Sequence, residues 1–514
     1  MKKTVKKVIS SVLVAAMLLS FVPMSGVEDL TFDFTVKSSA KETSGKLGDD
    51  AYYSLNEDSG LLTISGSGEM NNYSNHNISP FYYKKSIIKD VVVDEGILNI
   101  GDSVFDGCTA MTSISLPESI VSIGNFAFLG CSGIKSLMIP KNTTNIGFQA
   151  FFGCSGLSEI RIPESIGEIS NGMFQGCTGL TSVTISDGIT GIDYSAFDNC
   201  TNLTNITIPD GVTRIEENAF SRCTGLTSII IPQSVTSIGD GAFSYCSKLA
   251  DITIPKGITC IGSRLFSDCI NLTDLIIPDS VTSIGDEAFK HCIRLNSIAI
   301  PSSVTSVGKS AFEDCESLSN VSITRNISVI GSNAFAGCNM LNAVCVESER
   351  LLWGENTFPN NKVLQFFVPK GSNVYDTLTS QNYNVIPYSM TERTYKDKNV
   401  LSLDNKVVLS EDVWSCICEL IRNTDVHYIY FEELDFGDMM PEDIVADFDK
   451  SDFNYKQVVF SIEKDGETIR LGSIAEKSSF QIFIDMLVDA FSFVLDSVIS
   501  GIKGIISSIR KWWK

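Results

Sequence analysis

Cysteine recurs every 23 residues through most of this chain. Starting at Cys108, the step lands on Cys131, Cys154, Cys177, Cys200, Cys223, Cys246, Cys269, Cys292, Cys315 and Cys338 without a miss. Phenylalanine stands three residues before each, from Phe105 to Phe335. A period of roughly 20–29 residues with apolar side chains at fixed offsets specifies a repeat solenoid, in which no unit buries its core alone. The 514 residues exceed one ordinary globular core, but an array grows by adding rungs.

One unit, residues 226–246, reads LTSIIIPQSVTSIGDGAFSYC. Leu226, Ile229 and Ile231 alternate with Ser228 and Ile230, the period-two pattern of a half-buried strand. Pro232 ends that strand because proline has no N–H to give a ladder. The same column holds Pro117, Pro140, Pro163, Pro209, Pro255, Pro278 and Pro301. Val235 and Ile238 support a second extended stretch before Gly239, Ala242 and Phe243 turn inward, and Cys246 closes the rung. Strand crossovers are right-handed, so a right-handed, β-rich solenoid is predicted.

The register predicts this solenoid over 82–388. Its first rung is atypical, as a capping rung should be: Ile88, Val91, Val93, Ile97 and Ile100 hold the apolar columns, Tyr82 falls in the phenylalanine column and Lys85 replaces cysteine. Two alternating runs flanking Asn56 to Gly60 predict a hairpin within an N-terminal β cap over 48–81. Residues 27–47 are a polar lead without periodicity, expected to be flexible. At the far end Arg350 and Trp353 enter aliphatic columns, Phe358 and Leu364 still fit, and Pro369 comes one residue early. The polar stretch 389–398 reads as a linker to a small α/β domain over 399–478. That domain is expected to carry a helix capped by Ser410 and a hairpin turning at Asp465 and Gly466. Residues 479–514 predict an amphipathic terminal helix. Asp485, Asp489, Ser492, Asp496, Ser500, Lys503, Ser507 and Arg510 fall three or four apart and leave a broad apolar face.

Residues 1–26 read as a signal peptide: Lys2, Lys3, Lys6 and Lys7 precede an apolar run from Val8 to Val22. Cleavage sites are offered near Ser25 and Gly26, and further on at Ser38 to Ala40. An exported protein, secreted or held at the cell surface, is expected. Acidic residues outnumber basic ones 61 to 39, net −22, which disfavours a nucleic-acid partner bound by phosphate neutralisation. In an exported chain fifteen cysteines suggest disulfides. Eleven of them, however, share one repeat column, which suits a small buried apolar residue. Stacked rungs bring these within disulfide reach but aim them in parallel. Buried reduced thiols are expected, with a disulfide ladder as the alternative.

Catalytic and metal patterns are weak. His76, His291 and His427 lie far apart, with no HExxH spacing and no GxSxG elbow. No enzyme, metal or cofactor is therefore expected. Asp447, Asp449, Ser451 and Asp452 have the oxygens of a calcium loop, but Asp452 and Val458 stand where glycine and glutamate are required. Cys416 and Cys418 on one helix point about 200° apart, unsuited to joint ligation.

Parallel rungs stack equivalent side chains, so the outward strand positions form columns and a candidate binding surface. One column runs Arg161, Thr184, Thr207, Ile230, Thr253, Ile276 and Ala299. Beside it stand Thr181, Thr204, Thr227 and Thr273, and then Glu159, Asn205, Asp251 and Asp274. Such columns suit extended contact with a protein or glycan; threonine is also simply what an exposed strand favours.

In its Phe, Cys, Ile and Pro columns the unit LTSIIIPQSVTSIGDGAFSYC resembles the repeat of the BspA-like leucine-rich-repeat proteins, over about residues 48–388. The segment LTISGSGEM resembles their usual N-terminal lead. Departures are Ser186 and Thr324 in the proline column and Ser170, Asp193 and Glu216 in the glycine column. The resemblance implies a curved solenoid on secreted or surface proteins of bacteria and some protists, certain members being adhesins for host matrix proteins or other cells. Adhesion through an extracellular protein or glycan is the function expected; the alternative is a secreted enzyme or effector acting through 399–478, with the repeats as its targeting module. No LPxTG-like signal is present. Peripheral membrane or envelope association through 480–514 is one reading of the terminal helix, and docking or self-association the other. Spanning would bury Asp485, Asp489 and Asp496 at about 2.5–3.5 kcal/mol each.

Overall fold

The computed structural model describes residues 41–361, 363–389, 394–395, 398–408, 410–422, 426–435, 459–464 and 467–473. Two compact units divide the chain, Met1–Glu42 and Thr43–Lys514, and the fold described is that of the second. The expected signal peptide, the 447–452 acidic loop and the helix over 479–514 lie outside the described residues.

Most rungs lay down two short strands, and within each ladder segment a strand pairs in parallel with its counterpart one period away. In the first ladder Glu159–Ile162 pairs with Ser182–Ile185, Glu159 opposite Ser182, and Ser182 is in turn opposite Asn205. A second ladder runs Glu168–Ile169, Gly191–Ile192, Arg214–Ile215 and Ser237–Ile238. Pairing in step with the sequence period keeps every column on one face, which is why each column carries one residue type. Ile160, Val183, Ile206, Ile229 and Ile252 point inward and are buried.

The phenylalanine column closes the third side. From Phe81 to Phe358 the rings stack in an unbroken file, with neighbouring centroids 5.1–6.0 Å apart and planes within 21° of parallel. Rung spacing dictates that separation, and an offset stack is a favourable way to meet it. The first ring is Phe81, not Tyr82 as the period implies. A 3-10 turn over Tyr82–Lys84 takes up one extra residue, leaving Phe81 buried against Phe105 while Tyr82 remains largely exposed, with Lys85 over its ring.

The cysteine column lies beside the rings. All eleven thiols are free and buried. The Cys131 thiol donates to the Phe105 carbonyl at 3.1 Å, and the pattern repeats rung by rung up to Cys338 on Phe312. The position just before each cysteine is left-handed. Glycine occupies it at 107, 130, 153, 176 and 337; the other rungs put Asn199, Arg222, Tyr245, Asp268, His291 and Asp314 there at φ of 58–61°, at a cost of about 1–2 kcal/mol for a residue with a Cβ. Cys260 stands apart, exposed in the second ladder beside Ser283. Peptide mapping after iodoacetamide treatment, without reductant, should therefore find Cys260 labelled in the folded protein and the column labelled only after unfolding. Column cysteines that stay unlabelled once unfolded would mean disulfides.

Both ends depart from the repeat. Ala51–Asn56 and Leu61–Gly66 form an antiparallel hairpin, and Leu61–Gly66 pairs in parallel with Asp90–Val93, joining the hairpin to the rungs. Within the expected lead, Glu42–Lys46 is an edge strand of that sheet. At the other end one nine-stranded sheet contains the last rungs and the strands beyond them. Asn320–Ile323, Ala343–Val346, Gln365–Pro369 and Asn384–Ser389 are parallel. Lys398–Val408 then pairs antiparallel with Asn384–Ser389, and Val426–Asp435, Val459–Lys464 and Glu467–Ser473 extend the sheet. Where a linker and a separate α/β unit were expected, Thr394–Tyr395 is itself paired and the strands continue the solenoid's own sheet. Among the described residues, two helices accompany these strands. Helix α1 (Asn373–Ser380) is capped by Ser372. Helix α2 (Glu411–Arg422) begins with the Val413 N–H donating to Ser410 Oγ at 3.2 Å, the cap read from the sequence.

Candidate binding surface on the strand face

The outward positions of the first ladder make the candidate site. Glu159, Arg161, Thr181, Thr184, Thr204, Asn205, Thr207, Thr227, Asp251, Thr253 and Asp274 are exposed, as are Ile230 and Ile276, whereas Thr273 is half-buried. Register brings them together: Arg161 is opposite Thr184, Ile230 is opposite Thr253, and Ile276 bridges to Ala299. Thr181 and Thr204 are partly engaged within the ladder, their hydroxyls donating to the carbonyls of Ser158 and Thr181 one rung back. These two threonines bind their own scaffold as well as facing outward.

Three side chains dominate the surface. Met138, Ile230 and Ile276 are 84%, 80% and 85% exposed, although such residues are ordinarily core. Met138 lies opposite Arg161 and belongs to the same column, one period before the first residue singled out from the sequence. Stepping back 23 residues would have found it.

The same column is covered further along. Helix α2 packs on Asn320–Ile323 and Ala343–Val346 with Val413, Cys416, Ile417 and Leu420 buried, the i, i+3, i+4, i+7 stripe of an amphipathic helix. Asp412 accepts from the side-chain amides of Asn320 at 3.4 Å and Asn342 at 3.1 Å, and Cys345 Sγ donates to the Cys416 carbonyl at 3.4 Å. Gln365 exchanges two hydrogen bonds with the Val408 backbone. Residues 343–346, AVCV, are apolar at every position, as a strand buried on both faces must be. That run was the sequence signal for the covering helix.

Elsewhere the polar groups bridge rungs. Arg214 reaches Glu168 at 2.6 Å and Glu216 at 3.3 Å. His291 sits between Asp268 and Asp314 at 3.0 and 3.1 Å. A cleft of about 490 Å³ lies beside Arg325, Glu347 and Arg350, where the period breaks. Among the described residues no group of three or more His, Cys, Asp or Glu could hold a metal ion.

This geometry has a match in sequence. The family described as BspA type leucine rich repeat region matches residues 76–204, 168–293 and 259–384. The chain belongs to this family. Among solved structures, a leucine-rich repeat protein from Bacteroides ovatus is similar to this BspA-type chain at 25% identity and TM-score 0.53, covering 66% of this chain and 98% of its own. One from Eubacterium ventriosum has 26% identity, TM-score 0.40 and coverage of 58% and 95%. A leucine rich cell surface protein from Faecalibacterium prausnitzii has 26% identity, TM-score 0.33 and coverage of 59% and 95%. Comparison with curated proteins gives no match. BspA-type membership makes this a leucine-rich-repeat solenoid, a fold generally used to bind protein ligands.

Proposed function

We propose that this BspA-type chain is an exported, non-enzymatic surface protein that holds an extracellular protein or glycan on its strand face. The observation that carries the reading is the exposure of Met138, Ile230 and Ile276 in one ladder column, flanked by threonine and carboxylate columns. Large exposed apolar side chains set among polar neighbours are the anatomy of an interaction surface. Substituting aspartate at Met138, Ile230 and Ile276 together leaves the core untouched, so circular dichroism should not change. Capture of host cells or matrix proteins by the full chain should fall at least tenfold. Capture that survives this triple change but is lost when exposed residues of 399–478 are altered would move the activity to that region.

A further inference from the structure

Helix α2 lies on the strand face, and its footprint stops beside open ground. The helix is 12 residues long, about 18 Å, enough to cross nearly four rungs. Its packing nevertheless concentrates on the neighbouring strands Asn320–Ile323 and Ala343–Val346. It therefore runs along the strands, as the connection between the parallel strands Lys398–Val408 and Val426–Asp435 should. Helices packed side by side hold their axes about 8–10 Å apart, which is about two rungs at strand spacing. The next place for a helix is thus over the two preceding rungs, those of Ile276 and Ala299, which bridge in parallel. One wall of this berth is α2, its floor is the small side chain of Ala299, and the far side is the exposed Ile276.

The polar end of the berth sets the charge of its occupant. At that end α2 places Asp412, which accepts from the side-chain amides of Asn320 and Asn342. Two periods earlier the same two positions hold Asp274 and Asn296, both exposed, and Asp274 forms no ion pair among the described residues. Asp251, one rung further, is exposed as well. A second α2 laid here would bring its carboxylate onto Asp274 and be repelled, whereas a helix with lysine or arginine at that position would gain an ion pair beside an apolar contact. An extended peptide has no purchase, because the ladder's N–H and C=O groups pair between rungs and present a face, not an edge. A helix satisfies its own backbone and can press an apolar stripe onto that face.

We propose that the extracellular partner presents an amphipathic α-helix to this berth, its apolar i, i+3, i+4, i+7 stripe over Ile276 and Ala299 and a lysine or arginine facing Asp274 where α2 carries Asp412. The inference rests on the strand face being the binding surface. Peptide binding reads the berth itself and capture reads the function, so either can fail alone.

The probe is a fluorescent peptide of the α2 sequence, residues 410–422, with Cys416→Ala and Cys418→Ser against oxidation and Asp412→Lys to supply the cation. A staple joining positions 415 and 419 keeps so short a helix folded. By fluorescence anisotropy it should bind the full chain at least tenfold more tightly than the same peptide retaining Asp412. Asp274→Lys in the protein should reverse that preference, and Asp187→Lys, the same change at another exposed aspartate, should not. Ile276→Asp should weaken the lysine peptide at least tenfold with circular dichroism unchanged. A preference that ignores Asp274→Lys, or binding indifferent to Ile276→Asp, would overturn the proposal. Saturating peptide should also block capture of host cells or matrix proteins. Capture that survives saturation yet falls with the triple aspartate change would keep the strand face as the site and overturn the helical partner. A dimer in sedimentation equilibrium that Ile276→Asp disperses would give the berth to a second copy and overturn it too.

Discussion

Phe220→Ala should cost the repeat array about 3–5 kcal/mol, the range for emptying a fully buried phenylalanine site. Phe220 has no exposed surface and lies between Phe197, with centroids 5.3 Å away and planes at 9°, and Phe243, at 5.5 Å and 1°. Its loss opens a gap between two rings held at rung spacing by their own strands, so neither can slide in to fill it. Phe220→Leu restores most of the volume but not the ring contacts, each worth about 0.5–1.5 kcal/mol, and should cost about 1–3 kcal/mol. Urea titration followed by circular dichroism gives both numbers. Hydrogen exchange should show the rungs on either side of the substitution opening first, because stability in such an array is a sum of nearest-neighbour terms. A cost below about 1 kcal/mol for Phe220→Ala would mean that the neighbours collapse into the space and that the file of rings is not what holds rung to rung.

The period made the columns legible because each column meets one environment many times over, and a residue type repeated in that way reports burial without any need for long-range information. Phe243, Cys246 and Ile229 could be placed from spacing alone. Where a segment is used once, the same reasoning had nothing to average. Tyr82 took the arithmetic position of Phe81 because a one-residue insertion in a 3-10 turn leaves no trace in the downstream register. The polar stretch 389–398 suggested a boundary by composition. Yet the last rung presents an open strand edge whose N–H and C=O groups need partners, and Lys398–Val408 supplies them on Asn384–Ser389. Asp412 meets Asn342 across a separation of 70 residues, which no periodicity encodes. The candidate site was half legible for the same reason: which residues face outward followed from the period, whereas which of them α2 covers did not.

Alkali should unfold this protein at a pH that ordinary domains survive, because its core carries a file of acids that must stay protonated. Burial pushes the thiols of Cys154 and Cys246 up to about 12, and those of Cys177, Cys200 and Cys223 well above their ordinary value, against which the hydrogen bond in each rung is a smaller, opposing influence. In the unfolded chain a thiol titrates near 8.5. Between that pH and about 12 the folded state therefore holds protons that the unfolded state has released, so stability falls as pH rises; below about 8.5 the contribution is fully present. Each displaced thiol removes about 1.4 kcal/mol per pH unit across this window. Several acting together exceed the roughly 5–15 kcal/mol that holds a typical domain, and a cooperative transition should arrive well before pH 12. The urea midpoint, flat from pH 7 to 8, should decline steeply above 9. Tyrosines and lysines also titrate at high pH, so the attribution is tested with Cys154→Ala, Cys246→Ala and both together. Each replacement should reduce the slope of stability against pH by about one proton, or about 1.4 kcal/mol per unit, while shifting the value at pH 7 by a constant packing cost. A slope that the double replacement leaves unchanged would assign the alkaline transition to the other titrating groups and leave the cysteine column a packing feature without a pH signature.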